Sequence, residues 1–246
     1  MSRERLQKLL AQAGLCSRRG AEELMRQGRV QLNGQPAQPG DQADPAKDQI
    51  LVDGRPLPQR QRLLTLLLHK PRGVHCTCHD PRGRRTVLDL LPAELAHGTG
   101  LHPVGRLDAD SRGALLLSNH GSLTLALTHP RYNHSKRYRV WISGCPTDNT
   151  LQRWSAGVPL DGNPSRSVQL SVLKRDAQRT LLELTMQEGR NRQIRRTAEL
   201  LGHRVEDLMR IGIGPVQLGP LASGDWRWLH PEEEAALQAS TTAPIH

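Results

Sequence analysis

The 246-residue sequence predicts an α+β fold in two parts, on three observations. Residues 5–54 read as two short amphipathic helices followed by small strands with turn signals between them. A polar, proline-bearing stretch follows. Beyond it, strand patterns pair along the chain, Val168 to Leu173 with Thr180 to Met186, among separate helical segments. The stretch Pro56 to Arg62 has the composition of a linker, so the sequence divides into residues 1–60 and 61–246.

Composition narrows the function. There is no Phe, with two Tyr and four Trp, so Leu, Val and Ile must fill the core. The formal charge of +10 favours polyanionic partners. Of 34 basic residues five are Lys, leaving 29 Arg, whose planar forks suit phosphate and base contacts. No apolar run approaches the ~20 residues of a membrane-spanning helix, so no membrane partner is expected. The start of the chain has no apolar signal region, which predicts a cytoplasmic protein. Four scattered cysteines make no disulfide scaffold, and Cys76, Cys78 and His79 match no closed metal site, so no metal is expected.

In chain order, Leu6, Leu9, Leu10 and Ala13 mark a first helix, and Ser17 caps a second that buries Ala21, Leu24 and Met25 and stops at Gly28. Arg18 and Arg19 fall in its first turn, against the helix dipole, so something other than helix stability favours them. Val30 and Leu32 lead to the hairpin signal Asn33-Gly34, and Ile50 to Gly54 repeats it. Leu63 to His69 is a short apolar run, closed by the Pro71 and Gly73 turn. Thr86 to Leu91 fits one helical turn or a strand. Ser122 to Thr128 and Thr147 to Ala156 read as helices. Lys136 to Ile142 alternates as a strand with Lys136, Tyr138, Val140 and Ile142 on one face. Asp207 to Gly219 is strand and turn, and the polar tail from Ala235 is expected to be disordered.

Two stretches carry candidate chemistry. In Gly105 to Asn119 a polar turn closed by Gly113 leads into the apolar run Ala114 to Leu117, which places Asp108 at the mouth of a rigid element. On the residues alone, Asp108 or Asp110 could equally tie the turn by bonding backbone amides. The second stretch is Gln187 to Thr197. Ile194, Ala198 and Leu201 define the buried face of a helix over residues 191–201, and Arg190, Arg192, Arg195 and Arg196 exceed what solubility needs. At least one of these arginines should face a carboxylate. Phosphate-loop, nucleophile-elbow, zinc-helix, zinc-deaminase and dinucleotide fingerprints are all missing. What remains is an enzyme or a binder built around one Asp and many Arg.

Residues Arg5-Leu6, Leu9-Leu10-Ala11, Gly14 to Arg19, Ala21-Glu22 and Gly28 to Gly34 resemble the S-four RNA-binding domain. Gly105-Arg-Leu-Asp108 with Gly113 and its Leu-rich run, Lys136-x-Tyr138, and Glu188 to Arg196 resemble the three signature regions of RNA pseudouridine synthases. Arg192 and the Lys70-Pro-Arg-Gly73 turn point to the RsuA family, which modifies ribosomal RNA behind an S-four domain. Ser111 where Thr is usual, His120 where Asp is common and Thr197 where an apolar residue is usual depart from its pattern.

The resemblance implies a small α/β RNA-binding domain, then a synthase domain with a mixed, mainly antiparallel sheet flanked by helices. It implies that a uridine is isomerised without cofactor or metal, the base being detached from its nitrogen link, turned and rejoined through carbon. Asp108 would be the essential carboxylate, attacking the sugar or the ring or moving a sugar proton, with Arg195 paired to it. Tyr138 would stack on the base and could accept a proton. Ile194 would wall the pocket, and Arg106 would hold the loop or a phosphate. Arg5, Lys8, Arg18, Arg19, Arg29, Arg190, Arg192 and Arg196 would contact RNA. The expected partner is ribosomal RNA, large-subunit rather than small, or a ribosomal precursor particle, met by a monomer. The rival expectation is a non-catalytic ribosomal RNA binder or assembly factor on the same fold.

Overall fold

The computed structural model describes residues 3–59, 61–129, 132 and 134–242. The chain forms two compact units, Met1–Leu64 with Leu91–His102, and Thr65–Leu90 with Pro103–His246. The second unit is thus interrupted, because Leu91–His102, which follows the linker in sequence, groups with the first.

In the first unit, α1 (Leu6–Gln12) buries Leu6, Leu9 and Leu10, and α2 (Arg18–Arg26) buries Ala21 and Met25. The Ser17 Oγ accepts the Gly20 N–H at 3.0 Å and so starts α2. Strands β1 (Val30–Leu32), β2 (Gln35–Pro36), β3 (Ile50–Val52) and β4 (Arg55–Pro56) make an antiparallel sheet in the order β2-β1-β3-β4. Its two hairpins use the same turn. Asn33 and Gly34 have φ of 51° and 79°, Asp53 and Gly54 have 50° and 75°, and both pairs match the right-handed twist of the flanking strands.

The second unit is a mixed sheet. Its strands are β5 (Thr65–Lys70), β6 (Arg112–Ser118), β7 (Lys136–Ser143), β8 (Gln169–Arg175), β9 (Arg179–Met186), β10 (Val205–Ile213) and β11 (Trp226–Trp228), in the order β8-β9-β7-β10-β6-β5-β11. Every neighbouring pair on that path is antiparallel except β10 and β6, which run parallel through Met209 with Arg112 and Arg210 with Gly113. Gly113 therefore lies inside a strand instead of closing a turn. Its φ is +110°, and a Cβ there would stand 2.2 Å from the Arg210 carbonyl oxygen, so no side chain fits where the two halves of the sheet join.

Each half has its own core. Tyr138, Val140, Ile142, Leu182, Leu184 and Leu208 pack with Trp154 from α4 (Asp148–Ala156) and with Ile194 and Ala198 from α5 (Gln193–Leu200). Leu67 and Leu116 pack with Leu123 and Leu127 of α3 (Gly121–Thr128) and with Leu237 of α6 (Pro231–Thr242). Helix α6 corrects the expectation of a disordered tail over 235–242; residues 243–246 lie outside the described ones. Pro231 at its first position and Glu232, Glu233 and Glu234 in its first turn suit a helix start, and Leu237 is completely buried. The segment from Thr86 resolves into a 3-10 turn at Leu88–Leu90.

Candidate active site

Asp108 begins a tight turn in which the Ser111 N–H donates to the Asp108 carbonyl at 3.1 Å. The turn is pinned from below by the end of β5. The Lys70 Nζ, with no exposed surface, donates to the carbonyls of Ser111 at 2.8 Å and Pro71 at 2.9 Å and reaches that of Ala109 at 3.4 Å. The Gly73 N–H donates to Ala109 O at 2.7 Å. Burial pushes the Lys70 ammonium below the usual lysine range, opposed by Cys76, Asp110 and Asp108. A buried cation bonded to three carbonyls fixes the backbone on which Asp108 sits.

Facing this turn is the start of α5. Arg192, its N-cap, is left-handed, with φ 48° and ψ 32°. For a non-glycine residue this costs roughly 1–2 kcal/mol. The conformation carries its guanidinium to 3.5 Å from Asp108 Oδ2 and 3.2 Å from Asp110 Oδ2. The residues before it are held by Gln193, whose Nε2 donates to Glu188 Oε1 at 2.5 Å and whose Oε1 accepts the Arg190 N–H at 3.0 Å.

Arg195 is not the partner of Asp108. One turn into α5, it reaches the next acid along: its Nε lies 3.3 Å from Asp110 Oδ2, and its Nη2 donates to Asp110 O at 3.1 Å and to Ser111 Oγ at 3.2 Å. The reason is reach. Arg192 projects over Asp108, and Arg195 is drawn behind the turn by Ser111 and by Val205 O at 3.4 Å. Burial pushes the Asp110 carboxyl up, but the Arg192 hydrogen bond and the charges of Arg195 and Arg192 outweigh it and hold Asp110 below the usual carboxylate range.

Asp108, Arg195, Tyr138, Ile194 and Arg106 all line one cavity of about 230 Å³, walled also by Leu107, Met186 and Leu208. Tyr138 enters from β7 and Ile194 from α5, both nearly buried. At this size, below the ~300–1,000 Å³ of drug-sized pockets, the cavity has room for one nucleoside.

The model of the RNA pseudouridylate synthase family matches residues 65–200, and that of the S4 domain matches residues 4–50. The chain is 37% identical over 241 residues to the ribosomal large subunit pseudouridine synthase B of Bacillus subtilis (strain 168), with 96% of each chain covered. The chain belongs to the RNA pseudouridylate synthase family. An uncharacterized RNA pseudouridine synthase of Aquifex aeolicus (strain VF5) is 36% identical over 245 residues, with 96% of this chain and 94% of the relative covered. A crystal structure of a pseudouridylate synthase, 30% identical, matches with a TM-score of 0.69 over 95% of this chain and 99% of its own. The chain is thus an RNA-binding isomerase, as its three signature stretches implied, with an α+β fold of the expected kind.

The synthase's other expected contact residues separate into two groups. Arg18 and Arg19 are exposed, and among the described residues no side-chain partner meets them; Arg106 is likewise exposed and unpaired. The rest have intramolecular partners. Arg29 is bidentate to Asp53 at 2.6 and 2.8 Å, Lys8 meets Glu4 at 2.5 Å, Arg196 meets Asp161 at 2.5 Å, and Arg5 donates to the Gly40 carbonyl. Contacts this exposed are weak, and a phosphate can displace them. Arg190 differs, since it donates to the carbonyls of Leu160, Asn163 and Pro164 at 2.6–3.3 Å and so holds a loop. Lys70 went unassigned on sequence, because a lone cation beside Pro and Gly looks like part of an exposed turn.

Proposed function

We propose that this enzyme converts a uridine of ribosomal RNA, in the large subunit rather than the small, to pseudouridine in the cytoplasm, with Asp108 as its essential carboxylate. The reaction conserves atoms and electrons, so it calls for no redox partner. Asp108 stands at the cavity on a turn that Lys70 fixes from beneath, with Arg192 at 3.5 Å and Tyr138 on the wall. That single arrangement carries the reading, since a positioned carboxylate beside an aromatic face is what detaching and turning a base requires. Arg195 acts by holding Asp110 and Ser111, and through them the turn. The large-subunit preference is supported by the Bacillus subtilis relative, named for that subunit.

Taking a base out of a helix costs a few kcal/mol, which phosphate contacts must offset. Arg18 and Arg19, free at the start of α2, are suited to that. Pseudouridine mapping of ribosomal RNA from cells carrying Asp108→Asn tests the assignment. One or more modified positions should disappear, with product formation in vitro falling on the order of 10³-fold or more while RNA binding persists. A map identical to that of unaltered cells would refute the proposal.

A further inference from the structure

A second cavity, of about 360 Å³, shares Arg106, Tyr138 and Glu188 with the first and so continues it past the tyrosine. Among the cationic or protonatable groups that line it, Lys136, Arg210 and His134 stand together and are left unused by the function above.

Arg210 is 4% exposed. Its Nε donates to Ala114 O at 2.7 Å, and its Nη2 is buried with no partner. His134 is 7% exposed; its ring bonds the Ala126 backbone, and Nε2 is buried and unpartnered. The Lys136 Nζ donates to the His134 carbonyl at 3.2 Å and meets no acid. Burial first, and Arg210 second, push the Lys136 ammonium below the usual lysine range. Burial first, and then Lys136, lower His134. Lys136 and Arg210 therefore repel one another, and burial and Lys136 together favour the neutral form of His134.

Among the described residues lining the cavity, Glu188 is the one carboxylate, and it is already engaged. Its Oε1 accepts from Gln193 Nε2 and the Arg166 N–H, and its Oε2 lies 3.5 Å from Arg190. Another strand arginine is matched, Arg112 with Asp207 at 2.6 Å. Buried like charges with unfilled hydrogen-bond capacity destabilise a fold unless something of opposite charge arrives.

We propose that the Lys136, Arg210 and His134 wall is a phosphate subsite, which holds the phosphodiester next to the target nucleoside while the base occupies the first cavity against Tyr138. The proposal rests on the uridine-isomerising reading for the occupant of the first cavity. Lys136 and Tyr138 lie two residues apart on one face of β7, about 7 Å along the strand, so one nucleotide can reach both. The subsite would set the register of the strand, so that the correct base is the one presented to Asp108.

The test titrates the full chain with uridine 3′,5′-bisphosphate, uridine and adenosine 3′,5′-bisphosphate. The uridine bisphosphate should bind at least about tenfold tighter than uridine, as charge-assisted hydrogen bonds allow. Lys136→Gln should remove that advantage, Lys136→Arg should keep most of it, and Lys174→Gln, on exposed β8, should leave it intact. In the unaltered chain the His134 imidazole resonances should shift with the bisphosphate and stay still with uridine, a readout that needs no variant to fold. A bisphosphate that binds no tighter than uridine, or an advantage that survives Lys136→Gln, overturns the subsite. Equal, Lys136-dependent binding of the adenosine and uridine compounds supports the subsite and counts instead against the uridine reading.

Discussion

Arginine does opposite work at the two basic helix starts of this enzyme. At α2, Arg18 and Arg19 stand exposed and unpaired at the positive end of the helix dipole, an arrangement that costs a few tenths of a kcal/mol or more. At α5, Arg192 and Arg195 are drawn over a turn and fastened to Asp108, Asp110 and Ser111. The first arrangement leaves charge available to any phosphate that approaches. The second uses charge to fix the positions of carboxylates, and its cations are no longer free. The difference comes from acid supply: two aspartates two residues apart face α5, while the first turn of α2 holds no acid.

The two sets should therefore fail differently when removed. Arg195→Met should lower the single-turnover rate on the order of 10²-fold, because losing its hold on Asp110 and Ser111 lets the turn drift by a fraction of an ångström. Its RNA affinity should stay within about twofold, a change too small to matter against the 1.4 kcal/mol of a tenfold step. Loss of affinity with an unchanged rate would place Arg195 with Arg18 and Arg19 and erase the distinction.

The complementary change is smaller. Arg18→Gln and Arg19→Gln should each weaken RNA binding and flatten the dependence of log affinity on log salt by roughly 0.7 to 0.9, the signature of one lost phosphate contact. The rate at saturating RNA should not move. An unchanged salt slope would mean that these arginines touch no phosphate.

How much of this is legible in the sequence follows a physical line. Local signals spoke clearly: Asn33-Gly34 and Asp53-Gly54 formed the same turn, Ser17 capped α2, and alternation in β7 put Tyr138 and Val140 inside. Long-range pairing did not. The family resemblance implies Asp108 with Arg195, but which acid an arginine reaches depends on the left-handed backbone at residue 192, and no residue type demands that conformation there. Gly113 read as a turn because its need is a parallel neighbour, Arg210, ninety-seven positions on. Lys70 and Arg210 look solvent-facing in sequence, and their burial is set by strands far away in the chain. Helix α6 is local and legible, since Pro231 and three acids mark a helix start and Leu237 its buried face.

The finest test of the contrast is the strained residue itself. Arg192 combines an unfavourable backbone with a side chain whose ion pairs are about 40% exposed and therefore weak. Arg192→Gly removes both. Glycine enters the left-handed region freely, so relief of roughly 1–2 kcal/mol should outweigh the loss of exposed pairs at about 0–1 kcal/mol. Some of the gain is returned through the greater freedom of glycine in the unfolded chain, about 0.4–1 kcal/mol. The expected outcome in urea unfolding is a stability within about 1 kcal/mol of that of the unaltered enzyme, together with a reduced rate, since Asp108 loses its one ion-pair partner within 4 Å among the described residues. An arginine kept only for folding would give the reverse, a less stable protein with its rate intact, and stability and turnover measured on the same variant separate the two.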